Sequence, residues 1–142
     1  MKFIPVYINN FNRLATTKAL YEYFETVPQA LPIVIDNNST YPPLLDWYST
    51  GIFVTYLQRN AGHHAPWDAG VVLDPKAPEH LYGSNFYAVT DSDLDFFGVP
   101  TTILEILSQR IDKQYKIVGT GLEIEDLPPE INENNVSLYD AK

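Results

Sequence analysis

A chain of 142 residues that is 45% hydrophobic and 13% aromatic is long enough to bury a core and too apolar for disorder, so one domain over 1–142 is expected. Its formal net charge of −9 and isoelectric point near 4.5 repel phosphate backbones and anionic membranes, which excludes nucleic acid as a partner. Zero cysteines exclude disulfides, thiolate metal sites and a cysteine nucleophile and fit a cytoplasmic protein, while the sequence holds neither a transmembrane segment nor the marks of a signal peptide at 1–5.

Residues 3–8 are apolar and β-branched and predict a first strand ending at Asn9-Asn10. Leu14, Thr17, Leu20, Tyr21 and Phe24 recur at three- and four-residue spacing, the pattern of a helix capped by Asn10 or Asn12 and stopped by Pro28. Residues 32–35 predict a second strand, which ends in Asp36-Asn37-Asn38-Ser39-Thr40. Pro42 and Pro43 suit the first turn of a short helix over 44–48, with Gly51 after it. The third strand, 52–57, ends in Gln58-Arg59-Asn60-Ala61-Gly62-His63-His64. A short helix over 65–73 carrying Trp67 and a Pro- and Gly-containing loop over 74–83 lead into 86–90, an apolar run that predicts a buried central strand. Pro100 starts another helix, with Ile103, Leu104, Leu107 and Ile111 toward a core and Arg110 and Lys113 in its last turn. Residues 115–118 and 122–124 predict strands, and 128–142 a polar surface tail.

Strands alternating with helices predict an α/β sandwich with a mostly parallel sheet. The polar clusters at the strand ends would then converge along one edge, where such sheets build ligand sites. The densest of them, Asp91-Ser92-Asp93-Leu94-Asp95, alternates acids, and two carboxylates one residue apart can reach one hard divalent cation. An acidic protein can hold a phosphorylated small molecule when a metal supplies the positive charge. The competing reading is local, because Asp, Asn and Ser also punctuate strands as turn residues.

With these segments in view, the chain resembles the nucleotide-sugar-binding half of a GT-A-fold glycosyltransferase, close to family 2. Pro5-Val6-Tyr7-Ile8-Asn9-Asn10-Phe11-Asn12-Arg13 is similar to that family's first strand and helix start. Val34-Ile35-Asp36-Asn37-Asn38-Ser39-Thr40 resembles its second-strand signature, in which the Asp contacts the base. Gln58-Arg59-Asn60-Ala61-Gly62 with Ala69-Gly70 resembles its Asn-x-Gly segment, Val89-Thr90-Asp91-Ser92-Asp93 its DxD element, and 116–128 a stretch that follows DxD in some bacterial relatives.

The resemblance implies a Rossmann-like three-layer sandwich that lacks the acceptor-binding half, either a natural miniature, such as a phage would encode, or a fragment. It implies a UDP-sugar or similar nucleotide-sugar donor, transfer to an unidentified acceptor or to water, and Mn²⁺ or Mg²⁺ held by Asp91 and Asp93. Tyr7, Asn9, Arg13, Asp36, Asn60, Gly62 and Ser92 are implied as further donor-site residues. The alternative is a self-associating module that binds nucleotide sugars without turning them over, and homo-oligomerisation through Phe96, Phe97 and nearby tyrosines is expected under both.

Several residues keep two readings. Asp95 can ligate metal or cap a turn, and Arg13 can face phosphate or solvent. Asp36 can read a base or form an Asx turn with its neighbours. Adjacent residues such as His63 and His64 usually point in two directions, so at most one would face the site, and neither is assigned to it. Trp67 is read as core rather than as a sugar platform, and Glu123, Glu125 and Asp126 as an exposed strand edge. No residue is assigned as catalytic base. A dinucleotide-binding dehydrogenase is set aside, since no Gly-x-Gly-x-x-Gly follows the first strand.

Overall fold

In the computed structural model, residues 3–68, 70, 84, 86–111 and 117–120 are described. The chain divides into two compact units, Met1–Gln109 and Arg110–Lys142, and all the elements below belong to the first. Among the described residues four strands form one parallel sheet: β1 (Ile4–Asn10), β2 (Ala30–Asp36), β3 (Val54–Tyr56) and β4 (Ala88–Asp91). The helices are α1 (Ala15–Thr26), α2 (Pro42–Tyr48), α3 (Ala65–Asp68) directly after a 3₁₀ turn at Gly62–His64, and α4 (Ile103–Ser108). The strand order is β3-β2-β1-β4, so the chain steps outward twice from β1 and then crosses to its other side. This is the ordering of a Rossmann-like α/β fold, and it creates a switch point between β1 and β4. Among the described residues no helix is long and apolar enough to cross a membrane.

The two-residue period of the strands sorts the core into two layers. Val6 and Ile8 of β1 and Val34 of β2 point to one face, where Leu20, Tyr21 and Phe24 of α1, Leu44 and Tyr48 of α2, and Ile103 and Leu104 of α4 cover them. Tyr7, Ile33 and Ile35 point to the other face and meet Ala65 of α3. The buried positions of α1, Thr17, Leu20, Tyr21 and Phe24, are those expected from their helical spacing. Helix α1 ends before Pro28, where the Val27 N–H still donates to the Phe24 carbonyl and Gln29 takes a left-handed turn with φ 66° into β2.

Several expectations need correction. Neither Asn10 nor Asn12 caps α1: Leu14 occupies the cap position, with no side-chain acceptor for the helix's first N–H groups. The apolar run at 86–90 forms a strand only from Ala88 onward, and that strand is partly rather than fully buried. Among the described strands β4 is paired to β1 only. Trp67 is exposed rather than core, because α3 buries Ala65 and Pro66 instead. Helix α4 stops at Ser108 with no basic residue in its last turn, so Arg110 lies beyond it. Residues 117–120 carry no regular structure. Lys113, residues 69, 71–83, 85 and 115–116, the expected strand at 122–124 with Glu123, Glu125 and Asp126, and the tail at 128–142 lie outside the described residues.

Candidate functional site at the carboxyl edge of the sheet

The strands end in register. Asn10 pairs with Asp36, Asn9 with Asp91, and Asp36 with Tyr56, so the four polar clusters do share one edge. A cleft of about 310 Å³ opens there, across the β1–β4 switch point. Seven of the nine residues implied as the donor site line it: Asn9, Arg13, Asn60, Gly62, Asp91, Ser92 and Asp93. Tyr7 and Asp36 are not among the lining residues.

Strand alternation decides what each end residue does. Tyr7 points into the α3-side core, fully buried, with its ring edge-on to Tyr87. Asn9 shares that face: its Nδ2 donates to the Gly62 carbonyl at 3.1 Å, and its Oδ1 accepts from Asn37 Nδ2. Asn37 Oδ1 in turn accepts the Ala61 N–H at 3.0 Å, which ties the β1 end, the β2 end and the loop after β3 together. Asn10 and Asp36 point to the opposite face and meet at Tyr48. The Tyr48 hydroxyl donates to Asp36 Oδ1 at 3.0 Å and accepts from Asn10 Nδ2 at 2.9 Å, while Asp36 Oδ2 accepts the Ser39 N–H at 2.8 Å. Burial, together with the adjacent Asp36 carboxylate, pushes the Tyr48 phenol well above its ordinary range. Asp36 is 1% exposed with both oxygens occupied. The base contact implied for it therefore requires this network to open.

Most of the Asn-rich character of the edge is thus stitching between loops. Asn12 belongs to the same class: at φ 54° its Oδ1 accepts the N–H groups of Thr40 and Tyr41, at 2.7 and 2.9 Å, and its own N–H donates to Ser39 Oγ. Gly62 has φ 68°, which favours glycine there for conformational reasons, since a Cβ would meet nothing within 4 Å.

What remains toward the cleft is charged. Asp91 closes β4 with an exposed position, and the following Ser92 is buried, its N–H donating to the Asn9 carbonyl at 3.1 Å. Asp93 extends from the loop after β4, where its Oδ2 lies 2.6 Å from Arg13 Nη1 in an ion pair between residues 80 positions apart. Asp95 takes the turn role instead, its Oδ1 accepting the Phe97 N–H at 2.8 Å. Among the described residues, no three His, Asp or Glu side chains gather closely enough to hold a metal by themselves.

No protein-family model matches the chain, and no curated protein matches it significantly. Among solved structures it is similar to the crystal structure of S. aureus TarS, at 21% identity and a TM-score of 0.45 over 66% of this chain. It spans 17% of that chain. A likeness at that score carries no functional argument.

Four lining residues were not assigned to the site from sequence: Asn10, Phe11, Asn37 and His63. The His63 and His64 rings lie side by side, centroids 3.9 Å apart and tilted by 44°, and the pair stands on the 3₁₀ turn that Asn9 and Asn60 hold in place. The adjacency of two histidines gives no sign of which one meets a cleft; only the turn geometry does. Asn10 Oδ1 is buried with no hydrogen-bond partner, the one such side-chain atom among the described residues. No sequence pattern marks an acceptor left over in this way.

Proposed function

We propose that the chain binds a nucleotide-diphosphate sugar in this cleft and, as a metal-dependent glycosyltransferase, passes the sugar to an acceptor hydroxyl or to water. The observation that carries the reading is the position of Asp91, Asp93 and Arg13 around one cleft at the switch point of a parallel sheet, where folds of this class take nucleotide ligands.

The donor set fits a hard divalent cation in part. Two carboxylates supply oxygen ligands, and Mg²⁺-like ions are commonly held by one or two carboxylates with substrate phosphates and water completing the shell. Asp91 and Asp93 would hold the ion. Its contribution when bound is positive charge opposite the diphosphate that leaves as the glycosidic bond breaks.

The chain's own groups do the rest. Arg13 carries the fixed positive charge at the cleft wall, suited to phosphate oxygens. The Asn9–Asn37–Gly62 network fixes the wall that carries Asn60 and His63, so the cleft keeps its shape without the ligand. The catalytic base is left unassigned.

Calorimetry with UDP and UDP-sugars, with and without Mn²⁺, tests the reading, with product analysis to follow turnover. Manganese-dependent uptake is expected in the parent and its loss in Asp91→Ala/Asp93→Ala. Equal uptake by parent and variant would end the proposal.

A second reading, a self-associating module that binds donor without turnover, draws on a different observation. Phe97 is 95% exposed beside an apolar groove of about 510 Å³ lined by Leu20, Tyr23, Leu94 and Phe96. Binding without product would favour it.

A further inference from the structure

We infer that Arg13 is a charge exchanger: it neutralises Asp93 until a divalent cation takes that carboxylate, and then turns its guanidinium to the diphosphate bound with the cation. The inference rests on the proposed donor site and adds to it an order of events and a coupling between two ligands.

Three observations carry it. First, the Arg13–Asp93 pair engages, at 2.6 Å, one oxygen of the carboxylate that a cation would use. A guanidinium and a divalent ion on one carboxylate repel each other, so the two compete. Second, the pair is built to part. Both side chains are about half exposed, 54% and 48%, and ion pairs of that kind are weakly held. Third, the Arg13 backbone is anchored independently of its side chain. Its carbonyl accepts from Thr17 Oγ1 at 2.6 Å and from Asn10 Nδ2 at 3.0 Å, so the guanidinium can let go while the turn stays in place.

The freed guanidinium has a clear destination. Among the described residues lining the cleft, Arg13 is the only side chain with a permanent positive charge, and an incoming diphosphate is the group that charge fits. A cation that releases Arg13 prepares the site for the phosphates, and phosphates that engage Arg13 favour the cation. Donor and cation are then positively coupled, and the coupling is reciprocal.

Removing the guanidinium should therefore move the two affinities in opposite directions, which a purely structural role would not do. Manganese binding is followed by electron paramagnetic resonance without nucleotide, and UDP binding by calorimetry at saturating manganese, for the parent, Arg13→Ala and Arg13→Lys. Arg13→Ala is expected to bind manganese about two- to fivefold tighter, the size of a lost half-exposed ion pair. The same variant is expected to bind UDP about tenfold more weakly, the size of a lost charge-assisted contact. Arg13→Lys, which keeps the charge without the fork, should lie between parent and alanine in both. Circular dichroism of each variant confirms the fold is retained. A parent that binds manganese and UDP, with Arg13→Ala no tighter for manganese or no weaker for UDP, overturns this inference and leaves the donor site standing. A parent that binds neither brings down both.

Discussion

The Tyr48 hydroxyl joins two strand ends, donating to Asp36 and accepting from Asn10, so it determines whether the inner wall of the edge holds together. Tyr48→Phe leaves Asp36 Oδ1 and Asn10 Nδ2 short of a partner in a buried setting, and urea denaturation should show a loss of about 1–3 kcal/mol. The same residue sets an alkaline limit. In the unfolded chain its phenol ionises near pH 10, whereas burial raises the folded value above that. Its contribution is full below about pH 10 and is lost as pH climbs toward the folded value, because the unfolded state releases its proton first. Melting temperatures should hold level to about pH 9 and fall beyond about pH 10. Tyr48→Phe should show a shallower fall, with Tyr21 and Tyr23, also raised by burial, supplying what remains. A parent as stable at pH 11 as at pH 8 would contradict this account. At this scale the sequence is least informative: that Asp36 would be sealed behind a tyrosine twelve residues on cannot be seen in Val34-Ile35-Asp36-Asn37-Asn38 itself.

At the scale of elements, the first half of the unit was legible because its physics is local. Helical spacing from Leu14 to Phe24, the Pro28 stop, and Pro42–Pro43 opening α2 all describe what is observed. Apolar composition at 86–90 reports burial on a face, not position in a sheet: among the described strands β4 pairs with β1 alone and is only partly buried. The Asn-rich strand ends were read as convergent ligand groups. They do converge, but Asn9, Asn12 and Asn37 spend their hydrogen bonds on neighbouring loops, with partners 24 to 53 residues away. Asn12→Ala tests the stitching reading. It removes an acceptor for two backbone N–H groups and places alanine at φ 54°, so a loss of about 2 kcal/mol is expected in a denaturation experiment. A change under a few tenths would show that the β1–α1 turn does not need its clamp.

At the scale of the whole molecule, the exposed apolar groove bears on assembly. Sedimentation velocity is expected to give a species larger than the monomer, and Phe97→Ser, which alters a side chain standing almost wholly in solvent, should shift it toward monomer without lowering the melting temperature. A parent that sediments as a monomer at every concentration removes self-association from the proposal. Stability should depend on the buried core instead: Val34→Ala, on the β2 strand beneath α1, is expected to cost about 2–4 kcal/mol.

The crossing from β3 to β4 also has a consequence in time. Arg13 leaves the ribosome early, yet its partner Asp93 follows 80 residues later, and β1 lies unpaired along its β4 side until Ala88–Asp91 has been synthesised. Closing so long a loop is among the slow steps of any folding reaction. A nascent chain halted before residue 88 could form the β1–β2–β3 half and its tyrosine-sealed wall, and would still lack both acids opposite Arg13. Ligand capture would begin only once β4 docks on β1, so binding competence would arrive with that pairing.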